Sequence, residues 1–152
     1  MFISKFLLFF SFMFVSASDL SLTIEFDGSN LPDSSGTVEE GKIIFKNNCV
    51  SCHGFSGEGR TGPELYGISN LDKLEVSKTI GNFWPFAPKI FDYLRRSKRD
   101  NDDNYFSDSQ VYSLTAFLLR INGLYEKNSI NKKELSNILM PNIDGFMSEY
   151  HY

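Results

Sequence analysis

The chain has 152 residues, 41% of them hydrophobic, and a formal net charge of −4. This length is enough for one domain with its own hydrophobic core. The mildly acidic balance argues against a nucleic-acid-binding protein, which needs a basic surface, and no basic amphipathic segment indicates membrane attachment.

The first residues have the features of an export signal. Lys5 supplies a positive charge, residues 6–15 are predominantly apolar, and residues 15–17 fit a small-residue cleavage site. The apolar run is too short to span a bilayer core of about 30 Å, which argues against the alternative of a membrane anchor. We therefore expect residues 1–17 to be removed and the mature chain, with a net charge of −5 after loss of Lys5, to be periplasmic.

The mature chain is expected to begin with an irregular arm over residues 18–36, with a short extended piece at residues 22–26. The first helix is expected at residues 38–48. Thr37 and Glu40 stand before it with the spacing of a capping box, in which each side chain accepts a hydrogen bond from the other's backbone N–H.

One face of this first helix carries Gly41, Phe45 and Cys49 at intervals of four residues. Gly41 leaves room for a second helix to pack closely, and the helix delivers Cys49 beside Phe45. An ordinary amphipathic helix has the same pattern. The helix pattern alone therefore indicates no function, and the functional prediction rests on the motif that starts at Cys49.

Both cysteines of the chain lie in Cys49-Val50-Ser51-Cys52-His53. A disulfide across this spacing closes almost no chain and stabilises little. A structural zinc ion needs four cysteine or histidine ligands, and only His53 and His151 are available besides the cysteines. The third alternative is attachment of a c-type haem, in which each thiol bonds to one vinyl group and the following histidine binds the iron. Haem attachment gives a role to each of the three fixed residues of the motif, Cys49, Cys52 and His53.

A loop punctuated by glycines follows at residues 57–65 and includes Arg60 and Pro63. The order of these motifs resembles class I cytochromes c, which implies an all-α fold around one covalently bound haem c. The resemblance also implies that the carbonyl of Pro63 accepts a hydrogen bond from the His53 imidazole, although a rigid turn alone also explains this proline. Arg60 is a further candidate for haem binding. The matching residues are Gly41, Phe45, Cys49, Cys52, His53 and the segment from Gly62 to Leu65.

Two helices are expected in the middle of the chain. The first spans residues 70–80 and stops at Gly81, and the second opens at Ala87 with Pro88 as its first helical residue. Basic side chains crowd the end of the second helix. They complement the partial charge of a helix C-terminus, or they dock an acidic partner or the haem propionates. They are Arg95, Arg96, Lys98 and Arg99.

A second capping box, Ser107 to Gln110, predicts a helix that runs to Asn122 and stops at Gly123. By resemblance this is the last core helix, and it crosses the first one. Residues 37–123 then form the cytochrome core. The apolar stripe of this last helix comprises Val111, Leu114, Leu118 and Ile121.

The sixth coordination position of the iron decides between electron transfer, which methionine ligation favours, and binding of small molecules at an open site. Met140 and Met147 are the methionines of the mature chain, and both lie in a C-terminal extension, residues 124–152. Pro141 stiffens the chain after Met140, which favours Met140 as the ligand. Met147 and His151 are the alternatives, and either methionine also fits a role as core filler.

Several stretches resemble more closely the cytochrome c subunit of periplasmic sulfite dehydrogenases and of the Sox sulfane dehydrogenase. The resemblance covers residues 31–146 and is most specific in TIGNFWPFA, residues 79–87, and MPNIDGF, residues 140–146. It implies a molybdenum-cofactor dehydrogenase subunit as electron donor and a soluble cytochrome as acceptor, with Met140 as the sixth ligand. Trp84 is a candidate contact to a haem propionate, or a half-buried core aromatic.

Two departures from that family are visible. The Sox subunit commonly carries two haem domains, and this chain has one Cys-x-x-Cys-His motif. Ile143 stands where the family usually has arginine. The resemblance thus implies a periplasmic one-electron carrier that serves a sulfur-oxidising dehydrogenase and catalyses no bond formation itself. A free-standing carrier and a haem enzyme or sensor with an open iron are the competing hypotheses.

Overall fold

The computed structural model describes residues 23–67, 76–97 and 106–145. Within these ranges the fold is helical, with one small two-stranded sheet. None of the described helices is long and apolar enough to cross a membrane. The elements are β1 (Ser35–Thr37), α1 (Val38–Asn48), α2 (Val50–His53), α3 (Ala87–Ser97), α4 (Asp108–Ile121), β2 (Ser129–Asn131) and α5 (Lys132–Ser136).

Helices α1 and α4 cross with their backbones in contact at Gly41. A Cβ atom at this position would lie 1.9 Å from the carbonyl oxygen of Ser113 and 2.8 Å from the Cβ of Phe117, so only glycine fits. One turn further along α1, the rings of Phe45 and Phe117 pack with their centroids 5.2 Å apart. The predicted crossing is confirmed, and it fixes where α1 ends.

The N-terminus of α1 is capped differently from the reciprocal box that the sequence predicts. The hydroxyl of Thr37 accepts a hydrogen bond from the N–H of Glu40 at 3.2 Å, as expected. The N–H of Thr37, however, donates to the hydroxyl of Ser113 at 2.9 Å, and this hydroxyl donates to Glu40 Oε2 at 2.7 Å. Because α4 packs against this turn, Ser113 stands between the two partners and ties the cap to α4.

Helix α4 begins and ends as predicted. The N–H of Gln110 donates to Ser107 Oγ at 3.3 Å, and the N–H of Ser107 donates to Gln110 Oε1 at 2.9 Å, which completes the box. Asn122 is the C-cap, and Gly123 follows with a φ of 68°. Residues 111–119 are all buried. The helix is therefore surrounded by the fold, whereas the predicted stripe indicates one buried face.

The helix expected over residues 70–80 is not formed in its described part. Residues 76–79 have no regular structure, and residues before them lie outside the described ranges. Asn82 accounts for this difference, because its Oδ1 accepts from the N–H of Thr79 at 2.8 Å and its Nδ2 donates to the carbonyl of Ser77 at 3.0 Å. Such local side-chain bonds compete with helical hydrogen bonds.

Helix α3 begins at Ala87, so Pro88 is its second helical residue and not its first. This shift of one residue matters little. N–H groups in the first turn of a helix have no intrahelical acceptor, so proline, which lacks an N–H, loses no helical hydrogen bond at either position. Ile90 and Phe91 are fully buried, as the apolar pattern of the helix predicts. The start of α3 therefore differs from the expectation by one residue.

A buried carboxylate fastens the N-terminal arm to α3. Asp92 is 1% exposed, and its Oδ1 accepts from the N–H of Ile24 at 3.2 Å. Lys89 and Arg96 approach the other oxygen at 3.4 and 2.7 Å. These two cations offset the cost of burying the charge, which is large for an unpaired carboxylate.

The arm and the C-terminal segment meet in the two-stranded sheet. Strands β1 and β2 are antiparallel, with Ser35 opposite Asn131 and Thr37 opposite Ser129. Strand β1 covers the end of the arm that was expected to be irregular, whereas residues 23–25 form no strand in the region where an extended piece was expected. Residues before 23, including the expected signal segment, lie outside the described ranges.

Replacement of Gly41 by alanine tests the helix crossing. Alanine favours an exposed helix over glycine by about 1 kcal/mol, but here its Cβ meets the backbone of Ser113. We therefore expect Gly41→Ala to lower the free energy of unfolding of the holoprotein by about 2 kcal/mol, the typical cost of overpacking. Denaturant unfolding followed by circular dichroism measures this change.

The matched control is Lys42→Ala, which places the same side chain at the next, exposed position of α1. It is expected to change the free energy of unfolding by no more than about 0.5 kcal/mol. A Gly41→Ala protein as stable as this control would show that the crossing is looser than the structure indicates.

Candidate functional site

The cysteine motif occupies a single helical turn at the end of α1. Cys49 is the C-cap of α1, and its carbonyl accepts from the N–H groups of Cys52 at 3.1 Å and His53 at 2.8 Å. Cys49 packs against the core at half burial, whereas Cys52 is exposed, and neither thiol is in a disulfide. Residues three apart on a helix share a face, so both sulfur atoms are available to one ligand.

The imidazole of His53 is fixed by the loop that follows. Its Nδ1 lies 2.8 Å from the carbonyl oxygen of Pro63, which is the contact expected from the class I resemblance. A carbonyl oxygen only accepts, so Nδ1 carries a proton, and in the neutral ring Nε2 is the nitrogen that has a lone pair for a metal. A second-shell bond of this type also orients the ring and strengthens it as a ligand.

Gly62 is what allows the loop to come so close. A Cβ atom on this residue would lie 2.9 Å from Cε1 and 3.1 Å from Nδ1 of the His53 ring. The N–H of Gly62 also donates to the carbonyl of Cys52 at 2.8 Å, and the N–H of Gly59 donates to the carbonyl of His53 at 2.8 Å. The motif and the loop are therefore one hydrogen-bonded unit.

The side chain of Glu58 adds hydrogen bonds within this unit, a role that the sequence did not indicate. Its carboxylate accepts from the N–H of Ser56 at 2.7 Å and from that of Phe55 at 3.2 Å. Hydrogen bonds from its own N–H and from that of Ser56 hold the pKa of Glu58 below its ordinary value. The nearby Gly54, with a φ of 82°, leaves the space that this carboxylate fills.

The Cys52 thiol stands in a polar environment. Hydrogen bonds with the hydroxyls of Thr61 and Ser51 lower its pKa. The thiolate is the reactive form of cysteine, so these contacts favour covalent chemistry at this sulfur.

Arg60, predicted to bind the cofactor, is exposed and holds its guanidinium 5.6 Å from the ring centroid of Phe55. Its cofactor role stays a prediction.

These residues fit a covalently attached haem better than the alternatives. The two thiols, neither in a disulfide, share one turn, and beside them the imidazole has its Nδ1 engaged by Pro63, which leaves Nε2 for a ligand. Within the described ranges no three side chains of His, Cys, Asp or Glu are grouped to hold a metal ion, so a zinc site lacks ligands there.

Trp84 is half-buried at the edge of the core. Its ring packs against those of Phe83 and Tyr93, with centroid distances of 6.5 and 5.5 Å. These contacts match the expected core aromatic, while the propionate contact stays a prediction.

Met140 points into the protein from a segment whose neighbours are exposed. Its side chain is 1% exposed, while Leu139 before it is 75% exposed. The amide of Asn142 donates to the carbonyl of Phe83 at 2.7 Å, so the two most specific stretches of the sequence lie together. Met140 belongs to the buried hydrophobic core, as a core filler would, and its role as an iron ligand stays a prediction. The alternatives Met147 and His151 lie outside the described residues.

The basic residues at the end of α3 are engaged within the chain where the structure describes them. Arg96 pairs with the buried Asp92 at 2.7 Å, and Nε of Arg95 lies 3.5 Å from Asp108 at the start of α4. Lys98 and Arg99 lie outside the described ranges. Pairing inside the fold was not among the roles predicted for these side chains.

Comparison with known proteins supports this interpretation of the site. A family model described as cytochrome c matches residues 38–122. A cytochrome c-553-like protein of Synechocystis sp. is 44% identical over 34 residues, which cover 22% of this chain and 32% of that protein. Cytochrome c type-1 of Ascaris suum is 32% identical over 73 residues, covering 42% of this chain and 64% of that protein. Both alignments span less than two thirds of the relative.

A solved structure matches over more of the chain. The crystal structure of the sulfane dehydrogenase SoxCD from Paracoccus pantotrophus contains a chain with a TM-score of 0.74 and 34% sequence identity to this one. The match covers 84% of this chain and 68% of that chain. A cytochrome c domain implies covalently bound haem c, which the motif at residues 49–53 accommodates. The family model, which spans more than half of the sequence, and this helical fold show that the chain belongs to the cytochrome c family, in its class I form.

Proposed function

We propose that this cytochrome is the single-haem subunit that accepts electrons, one at a time, from a molybdenum sulfite or sulfane dehydrogenase in the periplasm. Electron transfer itself follows from membership of the family. The observation that carries the finer assignment is the match to a chain of the sulfane dehydrogenase SoxCD structure, which extends over 84% of this chain. A soluble cytochrome is the proposed acceptor downstream.

The haem c supplies a one-electron redox centre when it is attached, and the chain supplies the attachment and the axial ligands. Cys49 and Cys52 are the proposed thioether positions, and His53 is the proposed proximal ligand. The Pro63 carbonyl accepts a hydrogen bond from Nδ1 of His53, so Nε2 is the nitrogen that would bind the iron.

We assign the sixth position to Met140, in the proposed C-terminal extension, residues 124–152. Its thioether is buried, and its chain segment is hydrogen-bonded to Phe83 through Asn142. A methionine ligand stabilises the reduced iron and raises the reduction potential, which suits a carrier that accepts electrons from a dehydrogenase.

Export is the remaining part of the proposal. Residues 1–17 have the charge, apolar run and small residues of a secretory signal. The dehydrogenases that this chain resembles are periplasmic, so an exported chain is consistent with the proposed partner.

Met140→Ala tests the sixth ligand. We expect the ferric holoprotein to lose the weak long-wavelength absorption band typical of methionine ligation, and its reduction potential to fall, because the neutral thioether is replaced by water or an open site. Optical spectra and a redox titration measure both changes. The control is Met147→Ala, which removes the other methionine of the mature chain and is expected to leave band and potential as in the wild type. The reverse outcome would transfer the assignment to Met147.

The proposed partner is tested by purifying the affinity-tagged chain from its source organism. We expect molybdenum, measured by elemental analysis, to co-purify, and the haem to become reduced when sulfite or a sulfane substrate is added. Reduction by dithionite provides the reference for complete conversion. A tagged protein that contains no molybdenum and stays oxidised with both substrates would favour the free-standing carrier.

A further inference from the structure

We propose that Asn142 is a positioning residue for the axial thioether of Met140, and that its hydrogen bond to Phe83 holds this thioether at the iron. The inference rests on the proposed assignment of Met140 as the sixth ligand. It identifies which contact keeps the ligand in place, since a thioether has no charge and binds iron weakly compared with an imidazole.

The Met140 segment is a compact double turn. The N–H of Ile143 donates to the carbonyl of Met140 at 3.2 Å, and the N–H of Gly145 donates to the carbonyl of Asn142 at 3.1 Å. Pro141 occupies the second position of the first turn, where its fixed φ is favoured. The turn fixes the local backbone, but it does not by itself attach the segment to the rest of the protein.

The side chain of Asn142 makes that attachment. Its Nδ2 donates to the carbonyl oxygen of Phe83 at 2.7 Å across 59 residues of sequence. Gly145 provides the space, because a Cβ atom there would lie 1.8 Å from Oδ1 of Asn142. The glycine three residues after Asn142 therefore leaves room for the amide to fold back over the turn and reach Phe83.

The acceptor segment is firmly held in turn. Oδ1 of Asn82 accepts from the N–H of Thr79 at 2.8 Å, and the N–H of Ile80 donates to the carbonyl of Leu65 at 3.2 Å. Leu65 belongs to the loop that carries Pro63, the acceptor for His53. Asn142 thus connects the segment of the proposed sixth ligand to the scaffold that orients the proximal ligand.

Competition with added imidazole measures this effect directly. Imidazole replaces methionine on ferric haem, so its apparent affinity rises when the thioether is held less well. The midpoint of the titration is the imidazole concentration at which half of the haem has bound imidazole. Loss of a hydrogen bond of ordinary strength is expected to lower this midpoint roughly two- to tenfold in Asn142→Ala relative to the wild type. Asn142→Asp, which keeps the shape but lacks the donor, is expected to lower the midpoint as well.

Asn137→Ala is the matched control, because its amide also bonds a backbone carbonyl, that of Lys133 at 2.6 Å, in the same C-terminal region. We expect its midpoint to equal that of the wild type. An equal shift in Asn137→Ala and Asn142→Ala would overturn the inference in favour of general loosening.

Met140→Ala separates the two proposals. If this variant lowers the midpoint while both Asn142 variants retain the wild-type value, Met140 remains the ligand and the positioning role is wrong. If Met140→Ala has the wild-type midpoint, the ligand assignment itself fails, and the role of Asn142 fails with it.

Discussion

The backbone contact between Gly41 and Ser113 determines where the haem-attachment turn lies. Because no side chain separates α1 from α4 at Gly41, Phe45 reaches Phe117 and α1 ends with Cys49 against the core. Ser113 also completes the cap at the other end of α1. The contact between Gly41 and Ser113 contains no reactive group, but it sets the position of the cysteine motif at residues 49–53.

The buried side-chain amide of Asn122 fixes the loop that follows the cysteine motif. Asn122 is 4% exposed, and its Oδ1 accepts from the N–H of Gly67 at 3.0 Å. Its Nδ2 donates to the carbonyls of Leu65 at 3.1 Å and Leu118 at 2.9 Å. Donors and acceptor are all used, as burial of an amide requires. The C-cap of α4 thus holds the loop that orients the imidazole of His53.

Features set by nearby residues or by covalent chemistry were predictable from the sequence. The spacing of the Cys-x-x-Cys-His motif is visible in the sequence itself, and the cap at Ser107 uses a partner three residues away. The cap of α1 was only half predictable, because Glu40 bonds to Ser113, which is distant in sequence. Asn82 turns a helix-like pattern into irregular structure through its own side chain. The bond from Asn142 to Phe83 depends on the tertiary fold, and no local pattern indicates it.

The pairing of β1 with β2 has a consequence for the order of assembly. The two strands lie on either side of the helical core in sequence, so their antiparallel ladder forms only when most of the chain is present. Contacts between such distant residues are slow to form, since a long loop must close first. The attachment motif is synthesised well before β2 and the methionine segment after it. We therefore expect the part of the fold around β2 and Met140 to close after residues 49–53 have been made.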